Sequence, residues 1–351
     1  MKKLTVGVLF GGRSTEHEVS LSSASAVLDH LDRNKYDVVQ IGITREGFWY
    51  RYDGNTEGIR SGSWVSESGN IPVLLSPNRE YPGLLELTGT EYRYTPLDVV
   101  FPVLHGQFGE DGTLQGLLEM SGIPFVGCDM LSSAVGMDKP IAKTLAASAG
   151  FKVPPFLMAV QGTSIEELTA SAEALGYPLY VKPARSGSSI GISKVYNRDD
   201  LLSGIREAWN HDSRIIIESH VEGVEIGCAV MGNSELVTGE IDEVALAGEF
   251  FDHTEKYSLA TAAIHLPARL DAAQAAQAKD IAIRIYRLLG CSGLSRVDLF
   301  LSPEGDFYFN EVNTIPGFTA TSRYPNMMRA AGIEFPELLD LLVKTAMVRG
   351  R

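Results

Sequence analysis

The sequence predicts an α/β block followed by α+β blocks, and three observations lead there. Apolar strands alternate with glycine turns and helical patterns over residues 1–137. Helices and hairpin strands are grouped together after that. Residues 295–313 read as a β-hairpin with one acidic face. Strand–glycine–helix alternation implies a parallel sheet with functional loops at the carboxyl ends of its strands. At roughly 100–200 residues per domain, 351 residues allow two or three domains.

In the first block, residues 4–10 form an apolar strand ending at Gly11-Gly12, followed by a helical pattern over 19–31. Strands are predicted at 38–43 and 99–104, and a helix at 114–120. The stretch 53–95 is polar, punctuated by Gly and Pro, and reads as a hairpin-rich insertion. The second block, 138–224, has helices at 141–149, 165–175 and 201–209 and strands at 179–182, 192–195 and 215–218. The third, 225–351, has strands at 226–230, 236–242, 295–301 and 307–313 and helices at 272–289 and 335–348. Its irregular segment, about 245–262, is long enough to be a lid.

Thirty basic and 44 acidic residues give a net charge of −14, which argues against nucleic acid or an anionic membrane surface as partner. No stretch approaches the ~18 apolar residues of a membrane span. Met1-Lys2-Lys3 and the apolar run after it imitate a secretion signal only as far as Phe10, so they read as a strand. Cys128, Cys228 and Cys291 are far apart and odd in number, which suits buried thiols in a reducing cytoplasm.

The hairpin carries the sharpest chemical signal. Ser302-Pro303-Glu304-Gly305-Asp306 is a turn composition. Folding about Glu304-Gly305 sets Asp298 opposite Glu311 and Arg296 opposite Asn313, all four on one face. Opposed carboxylates repel unless a cation lies between them, and Asp, Glu and Asn oxygens suit magnesium. A bulge would spoil this register, and Arg296 could neutralise both acids instead.

The Gly/Ser loop after Lys182, residues 185–191, could cradle phosphate with backbone N–H groups and hydroxyls, with Lys182 as a point charge. It equally suits a flexible hairpin, and it is not a GxxxxGK[ST] loop. Glu16 and Glu18 follow the first strand, where Thr15 and Glu18 also fit a helix capping box. His105 at a strand end suits a ligand contact or a polar core histidine.

Together these segments resemble the D-alanine–D-alanine ligase family of the ATP-grasp superfamily. The matching stretches are Phe10-Gly11-Gly12 with Glu18-Val19-Ser20, Leu104-His105-Gly106 with Gly109 to Gly116, Met137-Asp138-Lys139, and Lys182-Pro183 with Gly187-Ser188-Ser189. They continue with Glu255-Lys256-Tyr257, Arg296-Val297-Asp298, and Glu311-Val312-Asn313-Thr314 with Pro316 to Thr319, in order along nearly the whole chain.

The resemblance implies a three-domain ATP-grasp fold whose first domain contains a parallel sheet. It implies ATP and two Mg²⁺ (or Mn²⁺), with Asp298, Glu311 and Asn313 as metal ligands. Lys139, Lys182 and Ser189 would lie at the phosphates. Glu218, Ser219 and Val221 would face adenine and Glu225 the ribose. Glu18 would receive the ammonium of the first D-alanine, with His105 beside it. Arg296 and the backbone of Gly317 would stabilise the transferring oxygen. Ser322 would bind the second substrate's carboxylate. Lys256 and Tyr257 would lie on the lid, Tyr257 reaching Ser188 and Glu18 on closure. A cytoplasmic homodimer is the family-level expectation.

Arg323 stands where D-alanine-adding members usually carry an apolar residue. Ser322 to Met328 and Phe250 to Tyr257, including Phe251, resemble the D-serine-adding vancomycin-resistance ligases, the type-G group in particular. A site that hydrogen-bonds a hydroxyl can reject an analogue lacking it. Arg323 offers such donors, or else is a surface charge at a helix start. The implied activity is D-alanine–D-serine ligation. The alternatives are a housekeeping D-alanine–D-alanine ligase and a non-catalytic ATP-binding regulator. The D-lactate-adding subgroup ranks low, because it lacks the Lys256-Tyr257 pair.

Overall fold

A computed structural model describes residues 2–246, 262–319 and 321–349. The first sheet contains β1 (Leu4–Gly11), β2 (Tyr36–Ile43), β3 (Trp49–Tyr52), β4 (Ile71–Leu75), β5 (Gly83–Thr88), β6 (Glu91–Pro96) and β7 (Val99–Pro102). Its order is β6-β5-β4-β3-β2-β1-β7. Only β2, β1 and β7 are parallel; β3 to β6 are antiparallel. The expectation of a parallel sheet therefore holds for its apolar centre alone. The polar stretch 53–95 supplies an antiparallel extension of successive hairpins, the hairpin-rich insertion expected from the sequence. A buried carboxylate, Glu86, sits in that extension between Arg51 (2.7 Å) and Arg93, one source of the stretch's polar composition.

Helix α1 (His17–His30) covers the first sheet, followed by α2 (Thr56–Arg60), α3 (Thr113–Ser121) and α4 (Met130–Met137). The sequence pattern missed α4. Asp129 caps it, accepting from Ser132 N at 2.8 Å.

The second sheet contains β8 (Phe156–Val160), β9 (Leu179–Pro183), β10 (Ser193–Val195) and β11 (Arg214–Ser219) in the order β10-β9-β11-β8, all antiparallel. Helix α5 (Lys139–Ser148) precedes it, and α6 (Ile165–Glu173) and α7 (Arg198–His211) bury Leu168, Leu201 and Ile205 against Leu179, Val181 and Ile217. Strand β8 lies at the edge with only Ala159 buried, and its all-apolar run beside Pro154-Pro155 shows no alternation.

The third sheet contains β12 (Val224–Gly232), β13 (Leu236–Thr238), β14 (Asp242–Leu246), β15 (Ala262–His265), β16 (Gly293–Leu301) and β17 (Phe307–Asn313). Its order is β15-β14-β12-β16-β17, with β13 also on β12. The single strand expected over 236–242 is two. Gly239 breaks it: its backbone packs against Met327, where a Cβ would lie 2.9 Å away, and Glu240 N donates to Met327 O at 3.0 Å. Helix α8 (Ala272–Leu288) packs Ala282, Ile285 and Tyr286 on this sheet. Helix α9 (Arg323–Ala330) begins where one reading of Arg323 put a helix start, and α10 (Phe335–Arg349) was expected. Leu338, Leu342 and Val343 of α10 share a core with Val6, Val8 and Phe101 of the first sheet. Among the described residues no helix is long and apolar enough to cross a membrane.

Candidate functional site

Strands β16 and β17 pair Arg296 with Asn313 and Asp298 with Glu311, the register read from the sequence. The route to it differs. Ser302 N donates to Asp306 O and Gly305 N to Ser302 O, both at 2.9 Å, so the turn centres on Glu304. Past Asp298 the register shifts, Leu299 facing Phe309 and leaving Asn310 as the extra residue. The bulge thus restores the register that it was expected to spoil.

The hairpin's charges are compensated by several cations of the chain. Arg296 grips buried Asp298 with Nε and Nη2, each at 2.7 Å from one oxygen. Asn313 Nδ2 donates to Asp298 Oδ2 at 2.8 Å, and Arg323 Nη2 lies 3.6 Å from Oδ1. Glu311 lies 3.5 Å from Lys139 Nζ. Arg323 is no surface charge. Its guanidinium is buried, donating to both oxygens of Asp242 at 2.7 Å and to Glu225 at 3.1 Å.

A cleft of about 530 Å³ opens between the second and third sheets. Lys139, Lys182, Ser188, Ser189, Glu218, Ser219, Val221, Glu225 and Glu311 all line it. Lys139 opens α5, where Asp138 accepts from Ile141 N and pairs with Arg214 at 2.6 Å. Its ammonium donates to Ser186 O at 2.6 Å, linking the Gly/Ser loop to Glu311. Arg185 clamps the loop base to Asp212 through Nε at 3.0 Å and Nη2 at 2.7 Å. Ser188 and Ser189 take φ of 49° and 58°, a left-handed conformation that costs a non-glycine residue energy and recurs at ligand clamps. Lys182 donates to Glu218. Burial alone would raise the Glu218 carboxyl, but Lys143 and then Lys182 overcome it and hold it at about 2.

At the loop tip, Ser188 donates to Glu16, not Glu18. The capping box does not form: Glu16 is the N-cap and its side chain caps nothing. Glu18 lies one helical position pair further on, 67% exposed and paired with Arg45, so it does not join the other candidates. Helical geometry separates residues two apart by about half a turn. The Glu16 carboxylate fits only because Gly106 and Gly187 lack side chains, whose Cβ atoms would come within 2.5 and 2.7 Å of it.

His105 is buried next to Glu16, its Nδ1 3.0 Å from Ile315 O and its Nε2 3.2 Å from Ser23 Oγ. Burial lowers its pKa against the pull of Glu16, which favours a neutral ring donating from Nδ1. Glu110 accepts from Gly106 N at 2.7 Å and Ile315 N at 3.1 Å. Burial, then the neighbouring Glu16, push its carboxyl up to about 8. These contacts, with Phe318 N donating to Ser23 Oγ at 3.2 Å, dock residues 315–318 on the first block. Gly317 and Ser322 meet in the same segment: a Cβ on Gly317 would lie 2.9 Å from Ser322 Oγ, which accepts from Thr319 N at 2.9 Å.

The segment 104–116 carried the signal for Glu110, but no role was read there. Nothing in the local pattern marked Lys143 or Asp242, because each matters through partners far along the chain. Phe251, Lys256 and Tyr257 lie outside the described residues.

Residues 5–128 match the family described as D-ala D-ala ligase N-terminus, and residues 145–344 the one described as D-ala D-ala ligase C-terminus. The chain belongs to the D-alanine–D-alanine ligase family. Its ligase relatives include a D-alanine–D-alanine ligase of Caldicellulosiruptor bescii, 44% identical over 100% of this chain and 97% of that one. The vancomycin B-type resistance protein VanB of Enterococcus faecalis is 44% identical over 99% of this chain and 100% of its own. Among solved structures, the VanG D-Ala:D-Ser ligase of Enterococcus faecalis superposes with a TM-score of 0.90 at 48% identity, covering 98% of this ligase chain and 100% of its own.

Proposed function

We propose that this ligase joins D-alanine to D-serine at the expense of ATP, supplying the modified peptidoglycan termini of vancomycin resistance. The observation that carries the ligase chemistry is one continuous site. The cleft with Lys139 and Lys182 runs through Ser188 to Glu16 and His105, and through Glu311 to Asp298 and Arg296.

A carboxylate is a poor electrophile. The D-alanine carboxylate attacks the γ-phosphoryl group, giving D-alanyl phosphate and ADP. The amine of the second substrate then attacks the carbonyl carbon, and phosphate leaves. Lys139 and Lys182 orient the phosphates, and Ser189 offers a donor beside them. Glu218, Ser219, Val221 and Glu225 line the nucleoside end. Glu16 takes the ammonium role that sequence reading gave to Glu18, with neutral His105 beside it. Arg296 and the Gly317 N–H oppose charge on the transferring oxygen. Ser322 receives the second carboxylate.

Among the described residues no three His, Cys, Asp or Glu cluster as metal ligands. Asp298, Glu311 and Asn313 nonetheless fit magnesium or manganese, two opposed carboxylates and an amide being the sparse oxygen set that Mg²⁺ completes with phosphates. Bound there, the ion offsets charge on the phosphoryl oxygens.

The D-serine reading is supported by Arg323 and by the likeness to the VanG ligase. Buried among Asp242, Glu225 and Asp298, Arg323 replaces an apolar residue with a charge network behind Ser322. The 44% identity to a D-alanine–D-alanine ligase favours the housekeeping alternative. Product analysis with ATP, D-alanine and D-serine separates them: mixed D-Ala–D-Ser dipeptide and a higher kcat/KM for D-serine as second substrate are expected. A preference for D-alanine overturns the D-serine assignment, and tight ATP binding without turnover indicates the regulator.

A further inference from the structure

Lys143 lies one turn after Lys139 on α5 and is fully buried. Its ammonium lies 3.1 Å from Glu218 Oε2, while Lys182 holds Oε1 of the same carboxylate. It also donates to Phe309 O at 3.4 Å, on β17 beside the Asn310 bulge and two residues before Glu311. One side chain thus joins the helix of Lys139, the strand of Glu218 and the strand of Glu311. Burial lowers the Lys143 pKa, and Glu218 is the largest influence opposing that.

We infer that Lys143 is a positioning residue for the nucleotide: it neutralises Glu218 from the interior, so that Lys182 can turn from Glu218 to a phosphate. This inference rests on the reading of the cleft as a nucleotide site. Glu218 is buried, and a buried carboxylate stripped of its only cation is strongly unfavourable. With Lys143 present, two ammonium groups share one carboxylate, and the group facing the cleft can be lent to an anion. Without Lys143, Lys182 and Glu218 close into a neutral pair. The cleft loses a positive charge, and Lys182 is held where a phosphate cannot recruit it. The hydrogen bond to Phe309 O adds a geometric tie between the two walls of the cleft.

The test is a double-mutant cycle on the full chain, read by calorimetric binding of a non-hydrolysable ATP analogue with magnesium and by steady-state kinetics. K143M should weaken nucleotide binding at least ~10-fold and raise KM for ATP by a similar factor. KM for D-alanine should stay within about twofold. In an E218Q background the same substitution should cost less than about threefold, because the buried carboxylate that Lys143 neutralises is gone. A role in packing alone predicts equal losses in both backgrounds, and that result overturns the proposal. So does wild-type affinity in K143M. If K143M does not fold, the comparison of E218Q with K143M/E218Q still decides, and failure of both Lys143 variants to fold assigns the residue to the fold and overturns the proposal. A wild-type chain that binds no nucleotide refutes the cleft reading itself, whereas wild-type binding with an unaffected K143M removes only the role of Lys143.

Discussion

Replacing Glu311 by Gln should lower kcat on the order of 10²-fold or more while leaving the melting temperature almost unchanged. Glu311 is half-buried at the cleft floor, directly across the hairpin from Asp298. Glutamine keeps its volume and one oxygen but removes the charge. The fold tolerates that loss, since the contact to Lys139 is a loose 3.5 Å and Asp298 keeps Arg296, Arg323 and Asn313. The reaction should not tolerate it, because the proposed metal site needs that carboxylate where phosphoryl charge moves. Circular dichroism and thermal melts of the variant check the fold, and ADP release at saturating Mg²⁺ checks kcat. Near wild-type turnover would show that the hairpin acids are structural.

The second large effect separates Glu16 from Glu18. Glu16→Gln should raise KM for the first D-alanine and lower kcat/KM on the order of 10²-fold, because a buried ammonium would lose its counter-charge. Glu18→Gln should stay within about twofold of wild type, since an exposed pair with Arg45 contributes little. The two substitutions are chemically identical and lie on one helix turn, so the contrast isolates position. Comparable losses from both would place the ammonium site elsewhere.

That contrast also shows what a linear sequence conveys. The hairpin was legible because strand period, turn residues and charge all lie within 295–313, so one register follows from local rules. The bulge was not legible, since it depends on β17 also serving Lys143 and on Phe309 N donating to Lys152 O at 2.8 Å. Lys139, Lys182, Ser189, Glu218 and Glu225 were named from motifs, and the structure gathers them in one cleft. Glu18 was named over Glu16 from the resemblance alone, because both follow the first strand and no local rule says which faces inward. Ser188, 172 positions away, and the glycines at 106 and 187 are what bring Glu16 into the cluster. The hairpins over 71–96 were legible from their Gly and Pro punctuation, but their strand bounds were not, because the buried Glu86 and its partners Arg51 and Arg93 put charge where apolar alternation would mark them.

The most direct measurement is a crystal structure with manganese and a non-hydrolysable ATP analogue, using the anomalous signal of the metal. The account predicts at least one manganese between Asp298 and Glu311, within coordination distance of Asn313 or a phosphate oxygen, and the triphosphate between Lys139 and Lys182. Nucleotide bound elsewhere, or the two carboxylates turned apart with no ion between them, contradicts it.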